Sequence, residues 1–291
     1  MAQGYDFSVS VVLPARNEAA GLKTVLPRIR AAVSGAEILV VDDGSDDETS
    51  AVAQAAGAKV IRHPYPKGNG AAIKTGARNA TGEVIVFMDA DGQHEPESIP
   101  SLLSKLSEGY DMVVGARDAG GQASIGRYFA NGFYNRLASW MTGYPIADLT
   151  SGFRAVRARH FRRFLYLLPN GFSYPTTSTM AFFRSGLSVA YVPIRAQRRH
   201  GKSHVRLLKD GLRFFVIVLK IGTLFSPMRL FLPISAALFL TGVCYYAYTF
   251  ATMHRFTNMS ALLLISALLT FLIGILSEQI SALHYKGTEG E

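Results

Sequence analysis

The stretch EVIVFMDADGQHEP, Glu83 to Pro96, decides how the rest of the chain is read. A run of apolar residues passes straight into Asp89 and Asp91, one residue apart, and then into Gly92, Gln93 and His94. A short continuous apolar run bounded by turn residues reads as a strand buried on both faces. Two carboxylates so close at its end repel each other unless a cation, hydrogen-bond donors or water hold them there. Asp89-x-Asp91 is therefore a solvated loop, a helix N-cap region or a pair of ligands for a divalent cation. A lone D-x-D recurs by chance, so the surroundings decide.

Working outward, FSVSVVLPARNE (7–18) reads as a buried strand ending at Pro14, with Asn17 and Glu18 in the loop. A helix is predicted from about Ala19 to Val33, and AEILVVDDGSDDET (36–49) then gives a second strand closing on Asp42 and Asp43. Ser45 or Asp46 is the expected N-cap of the next helix, with acids in its first turn. AKVIRHP (58–64) is a short third strand, KGNGAAIKTGARNATG (67–82) a glycine-rich turn and small-residue helix, and Val84 begins the fourth strand. DMVVGAR (111–117) is a further strand ending near Arg117. Strands that are continuous apolar runs, alternating with helices, predict an α/β fold with a mostly parallel sheet covered on both faces. Ligands of such sheets bind at the carboxyl ends of the strands. Glu18, Asp42, Asp43, Asp89 and Asp91 all sit at those ends.

Beyond Arg117 the alternation weakens. SIGRYFANGFYNRLASWMTG (124–143) is expected to be an amphipathic, aromatic-rich helix. RAVRARHFRRFLYLL (154–168) is expected to be helical, and VRLLKDGLRFFVIVLKIGTLF (205–225) to lie as a basic helix on lipid head groups.

Composition separates the chain into two parts. Nearly half of the 291 residues are hydrophobic, which two uncharged segments explain: Leu230–Thr252 and Ser260–Ser277. Each approaches the roughly 20 apolar residues that cross a bilayer as a helix. An antiparallel transmembrane hairpin is expected, in preference to a pair of core helices. Residues 1–113 hold ten Lys/Arg against fifteen Asp/Glu, and the remainder twenty against six. The excess lies at Arg195, Arg198, Arg199, Lys202, Arg206, Lys209, Arg213, Lys220 and Arg229, just before the first span, whereas the connector MHRFTNM (253–259) has a single Arg. That bias predicts a multi-pass protein of the cell membrane with residues 1–229 and the tail from Glu278 in the cytoplasm, and lets the basic run rest on anionic head groups. A basic half also suits nucleic acid, but charge concentrated beside the spans speaks against a nucleic-acid partner. Residues 1–30 carry acids and Pro and no continuous apolar run, so no signal segment is expected there. Cys244 is the single cysteine, lies inside the first span and is expected to be a packing residue.

The chemistry narrows by elimination. No Cys/His cluster offers a soft metal site, and KGNG lacks the Ser/Thr that a Walker-type phosphate loop places after its Lys. Paired carboxylates at strand ends suit Mg2+ or Mn2+, which prefer oxygen ligands and leave positions for substrate phosphates. A metal-assisted nucleotide-diphosphate enzyme is the expectation.

VVLPARNE, VVDDGSDDET, KGNGAAIKTGARNATGEVIVFMDADGQH, DLTSGFRA and RRHGKSH occur in the order seen in family 2 glycosyltransferases. The chain resembles, more narrowly, the dolichol-phosphate mannose synthase and bacterial polyprenyl-phosphate glycosyltransferase branch, over residues 7 to about 210 and the following hairpin. The resemblance implies a GT-A fold and metal-dependent, inverting transfer of one sugar from a UDP- or GDP-hexose to undecaprenyl or dolichyl phosphate. It implies a GT-A catalytic domain at 1–204, an interfacial helix at 205–229, a hairpin at 230–284 (spans about 230–252 and 260–280) and a tail at 285–291. By position, Pro14, Ala15, Arg16, Glu18, Asp42, Asp43, Lys67, Asp89, Ala90, Arg198 and Ser203 match the nucleotide-sugar site. Asp89, Asp91 and Gln93 match the metal motif. Arg117, Arg127, Asn131 and Ser151 match the acceptor-phosphate site, with Asp91, Arg117 and Arg127 catalytic. Asp148, Ser151 and Arg154 belong to the D-x-T-S-G-F-R signature. The resemblance further implies a homotetramer and a downstream glycosyltransferase, and because two spans are too few to form a lipid-flipping path, a separate flippase is expected. The chain departs from the branch at His204, which stands in place of Lys, and at Ala116, which replaces Ser. GFSYPTTSTMAFF (171–183) lacks the Glu common on that helix, and no Q-x-x-R-W segment is present.

A phosphate monoester carries about 1.5–2 negative charges at neutral pH, so a lipid phosphate attacks without a dedicated base, whereas a sugar hydroxyl needs a carboxylate beside it. The competing readings are a membrane-anchored transferase acting on a sugar hydroxyl and a catalytically inactive lipid-carrier protein. The presence of both aspartates and Gln93 disfavours the latter. Arg117 and Arg127 show no acidic partner at helical spacing except Asp118. An anion from outside the chain is therefore expected to pair with them.

Overall fold

The run that ends at Asp89 is the central strand of a seven-stranded sheet. The computed structural model describes residues 4–117, 125–171, 173–194, 219 and 222–286, with the side chains of 125–131 and 284–286 outside that description. Strand β4 (Val84–Phe87) lies between β1 (Val9–Ala15) and β6 (Arg154–Arg157). With β2 (Glu37–Asp42), β3 (Lys59–Arg62), β5 (Met112–Arg117) and β7 (Val189–Ile194), the order is β3-β2-β1-β4-β6-β5-β7. Neighbours are parallel except at β6, which runs antiparallel to β4 and β5. The expected mostly parallel α/β sheet is present, with this one reversal added.

Both faces are covered. Val9, Val11 and Leu13 of β1 pack with Val84 and Val86 against α1 (Ala19–Ala32) and α4 (Ile99–Ser107), through Leu22, Val25, Leu26, Ile29, Leu102 and Leu106. On the opposite face lie α3 (Asn69–Asn79), α6 (Ala158–Arg163) and α7 (Tyr174–Arg184), where Phe87 meets Phe161 at 4.7 Å and Tyr174 at 6.2 Å. The period of two along β1 thus divides its side chains between two cores.

Two expectations need correction. Arg154–Arg157 is a strand, and only Ala158–Arg163 of that basic segment is helical. A helix is expected throughout, yet Arg154 is fully buried in the sheet. Helix α2 (Thr49–Ala55) is preceded by Glu48 rather than capped by Ser45 or Asp46; Asp47 accepts the Thr49 N–H instead (3.0 Å). Helix α5 (Ile125–Thr142) forms as expected. Most of the basic segment 205–225 lies outside the described residues.

Contacts divide the chain into two units, 1–137 with 144–211, and 138–143 with 212–291. In the second unit α8 (Pro227–Met253) and α9 (Asn258–Lys286) pair along their length, with Ser235 donating to the Ala267 carbonyl (2.8 Å). Both are long and apolar enough to cross a membrane, and only 11% and 17% of their apolar stretches are buried. That exposure excludes the core-helix alternative within this structure. Cys244 is also exposed, on the outward surface of α8, so it is not the packing residue expected.

Helix α3 approaches β1 closely enough that a Cβ at Gly76 would fall 2.3 Å from Val12 Cγ1. Val12 is fully buried and has a stiff, branched side chain. Gly76→Ala should therefore cost about 1–3 kcal/mol by overpacking, read as a lowered Tm of the detergent-solubilised chain. An unchanged Tm would show that α3 slides freely over the sheet.

Candidate functional site

A cleft of about 460 Å3 opens at the carboxyl ends of β1, β2 and β4. It is lined by Pro14, Ala15, Arg16 and Glu18 after β1, by Asp43 after β2, and by Asp89, Ala90, Asp91 and Gln93 after β4. Gly68, Asn69 and Ala72, at the start of α3, complete the wall. The loop after β1 is tied to the loop after β2. Asn17, at φ 56°, accepts the Asp46 N–H (2.9 Å), and Glu18 N–H donates to Thr49 Oγ1 (3.0 Å). Asn is among the few residues that adopt this left-handed conformation readily, which explains its place between Arg16 and Glu18.

Asp42 and Asp43, adjacent in sequence, do different work because successive strand residues point to opposite faces. Asp42 is completely buried and accepts the Ser45 N–H (2.8 Å) and the Ser50 hydroxyl. It does not reach the cleft, contrary to expectation. Asp43 does. Its carboxylate accepts the N–H groups of Lys67 and Gly68 (both 2.8 Å) and lies 2.7 Å from His63 Nδ1. Burial pushes its pKa up, but the bonds from His63, Lys67 and Gly68 outweigh burial and hold it below the ordinary carboxylate range. Lys67 thus contributes its backbone; its ammonium stands 5.5 Å over the Tyr65 ring, and Lys67 is not among the cleft-lining residues.

Asp89 and Asp91 both face the cleft with Gln93 beside them. Asp91 accepts the Gln93 N–H (3.1 Å), and Asp89 Oδ2 lies 3.7 Å from His94 Nε2. Among the described residues no group of three or more His, Cys, Asp or Glu side chains gathers round one point. The chain therefore offers two carboxylates and an amide, all hard oxygen donors. That set fits Mg2+ or Mn2+ completed by water and ligand phosphate, and does not fit a soft metal.

Arg117 is not free to await an external anion. Its Nε and Nη2 form a forked pair with Asp148 Oδ2 (2.8 Å) and Oδ1 (3.0 Å), and Nη2 also reaches Thr150. Asp148 further accepts the N–H groups of Thr150 and Ser151 (both 3.1 Å). The partner is 31 residues away, beyond the reach of any helical-spacing test. Burial pushes the Asp148 carboxyl up, but the Arg117 bonds outweigh it and hold it below the ordinary range. Ser151 is buried, and its hydroxyl has no hydrogen-bond partner among the described residues. Arg127 and Asn131 lie on α5 with side chains outside the described residues, as do Arg198 and Ser203 entirely. Gly68, Asn69, Ala72 and His63 were missed, although the KGNG turn itself was the signal for the first two.

The family described as Glycosyl transferase family 2 matches residues 10–165, and GtrB C-terminal hairpin matches residues 226–283. The undecaprenyl-phosphate 4-deoxy-4-formamido-L-arabinose transferase of Pseudomonas aeruginosa is 31% identical over 255 residues, covering 80% of this chain and 70% of that protein. The dolichyl-phosphate hexose transferase of Haloferax volcanii is 30% identical over 210 residues, covering 71% and 91%. Among solved structures, glucosyl-3-phosphoglycerate synthase from Mycobacterium tuberculosis, in complex with Mn2+ and UDP-glucose, superposes with a TM-score of 0.62 at 23% identity, covering 75% of this chain and 79% of that one. This last likeness is one of fold.

Breaking a buried ion pair leaves the other charge uncompensated, at about 3–5 kcal/mol. Asp148→Asn should therefore lower the Tm at neutral pH. Because the folded pKa of Asp148 is depressed, its stabilisation is present above the unfolded value, roughly pH 4, and is lost as pH falls through the folded value. The variant should show a shallower acid-side loss of Tm than the parent; parallel curves would remove Asp148 as the source.

Proposed function

The chain belongs to glycosyl transferase family 2, and from that premise we propose that it transfers one sugar from a nucleotide-sugar to a polyprenyl phosphate. It is a glycosyltransferase, and its relatives include polyprenyl-phosphate sugar transferases. The observation that carries the reading is the cleft at the sheet's carboxyl edge, lined by Asp89, Asp91 and Gln93 together with Pro14, Ala15, Arg16, Glu18 and Asp43. Pro14, Ala15, Arg16, Glu18 and Asp43 would receive the nucleoside; Asp89, Asp91 and Gln93 would hold a divalent cation. When bound, Mg2+ or Mn2+ neutralises charge on the leaving diphosphate.

The acceptor needs no base of its own, since a phosphate monoester is already anionic. What the protein must supply is orientation, through charge-assisted contacts to the phosphate oxygens. Arg127 and Asn131 are assigned this task, with Arg198 and Ser203 at the diphosphate. Arg117, neutralised by Asp148, takes a secondary part through the guanidinium nitrogen outside that fork. A single displacement inverts the anomeric centre. The two apolar helices would bring the catalytic unit to a water-insoluble acceptor, with the cleft on the cytoplasmic side as the basic run before Leu230 implies.

Incubating the purified chain and Mn2+ with a panel of UDP- and GDP-sugars, with and without polyprenyl phosphate, should yield lipid-linked sugar by mass spectrometry. Asp91→Ala should abolish that product while leaving the Tm within a few degrees of the parent. Transfer to a sugar hydroxyl, with none to lipid phosphate, would favour the second acceptor class. Reporter fusions at Met1 and Glu291 should report the same side of the membrane; opposite sides would mean that one helix does not span.

A further inference from the structure

The wall behind Asp89 is organised around a buried charge. Arg154 is fully shielded from solvent, and the partners of its guanidinium are neutral. They are the carbonyls of Ser151 and Pro175 (3.0 Å for the latter), the hydroxyls of Ser178 (2.7 Å) and Thr179 (3.2 Å), and Met112 Sδ at 3.9 Å. Among the described residues its hydrogen bonds all go to neutral groups, and the Asp148 and Asp89 carboxylates act on it only from longer range; a buried cation without a directly paired carboxylate is costly. Tyr174 lies against it, ring centroid 5.6 Å from Arg154 Cζ, and donates its hydroxyl to the Gly152 carbonyl (2.8 Å). Arg154 and Tyr174 thus grip two successive carbonyls, those of Ser151 and Gly152.

Gly152 turns its bare Cα to Asp89. A Cβ there would stand 3.1 Å from Asp89 Oδ2, 3.5 Å from Oδ1 and 3.2 Å from the Tyr174 hydroxyl. Phe153 stacks on His94 at 5.2 Å, and His94 Nε2 flanks the same carboxylate at 3.7 Å. Asp89 thus has the 152–153 backbone on one side and His94 on another, and a methyl at Gly152 would fit only if the carboxylate or the Tyr174 hydroxyl shifted by a few tenths of an ångström.

We propose that Gly152, clamped from behind by Arg154 and Tyr174, is a positioning residue that sets where the Asp89 carboxylate stands and so how tightly the cleft holds a divalent cation. This rests on Asp89 and Asp91 being cation ligands, as in the function proposed above. Metal–oxygen distances are tolerated only within about 0.2 Å, and a methyl at Gly152 displaces the carboxylate by a comparable amount.

The test is Mn2+ binding alone, followed by electron paramagnetic resonance of the free ion in the full chain in detergent. Gly152→Ala should raise the Kd roughly tenfold, the size of effect that groups supporting a metal ligand have, with the Tm nearly unchanged. Tyr174→Phe should raise it less. The double variant should bind more tightly than Gly152→Ala, because removing the hydroxyl lets the Gly152 carbonyl retreat. Strict additivity of the two effects would reduce both residues to structural roles and overturn the proposal. Asp89→Asn separates the levels. If it binds Mn2+ like the parent, the cation assignment itself fails; if it loses Mn2+ while Gly152→Ala does not, only the positioning role fails. Should Gly152→Ala not fold, an unchanged Kd in Tyr174→Phe overturns the inference.

Discussion

Because β6 runs against its neighbours, the chain leading into it arrives at the sheet edge where β4 and β5 finish. Arg154 stands opposite Phe87 on one side and Val114 on the other, so residues 148–153 lie beside the exits of both strands. Asp148 meets Arg117 as it leaves β5, and Gly152 meets Asp89 as it leaves β4. In an all-parallel sheet the same segment would emerge at the far edge. The reversal is what allows a stretch distant in sequence to form the rear wall of the cleft.

That geometry also explains which parts were legible beforehand. Strands β1, β2 and β4 are continuous apolar runs, and their endings in Glu18, Asp43, Asp89 and Asp91 pointed directly at the cleft. β6 was illegible because its first and last residues are arginines, and arginine is seldom fully buried. The Arg117–Asp148 pair was illegible for a different reason: a topology is needed to bring the two together. Asp42 and Asp43 looked equivalent as letters, and only the alternation of the pleat assigns one to the interior and one to the cleft. The absent Glu of the 171–183 segment acquires a context too, since α7 is buried on all sides from Tyr174 to Phe182, its hydroxyl residues Thr176, Thr177, Ser178 and Thr179 included.

Two of these hydroxyls, those of Ser178 and Thr179, matter energetically. Neutral carbonyl and hydroxyl acceptors take the Arg154 hydrogen bonds in place of water. Among the described residues, Arg154 Nε and the hydroxyls of Ser151 and Thr176 have no hydrogen-bond partner, which carries a cost. Such partial satisfaction is characteristic of a polar interior shaped for a task other than stability.

The outward-facing Cys244 has a practical corollary. It is the single thiol of the chain and sits on the exposed surface of α8. A nitroxide or fluorophore attached there needs no engineered background. With α8 in a bilayer, as proposed above, quenching by oxygen versus a water-soluble relaxant would report the depth of that position.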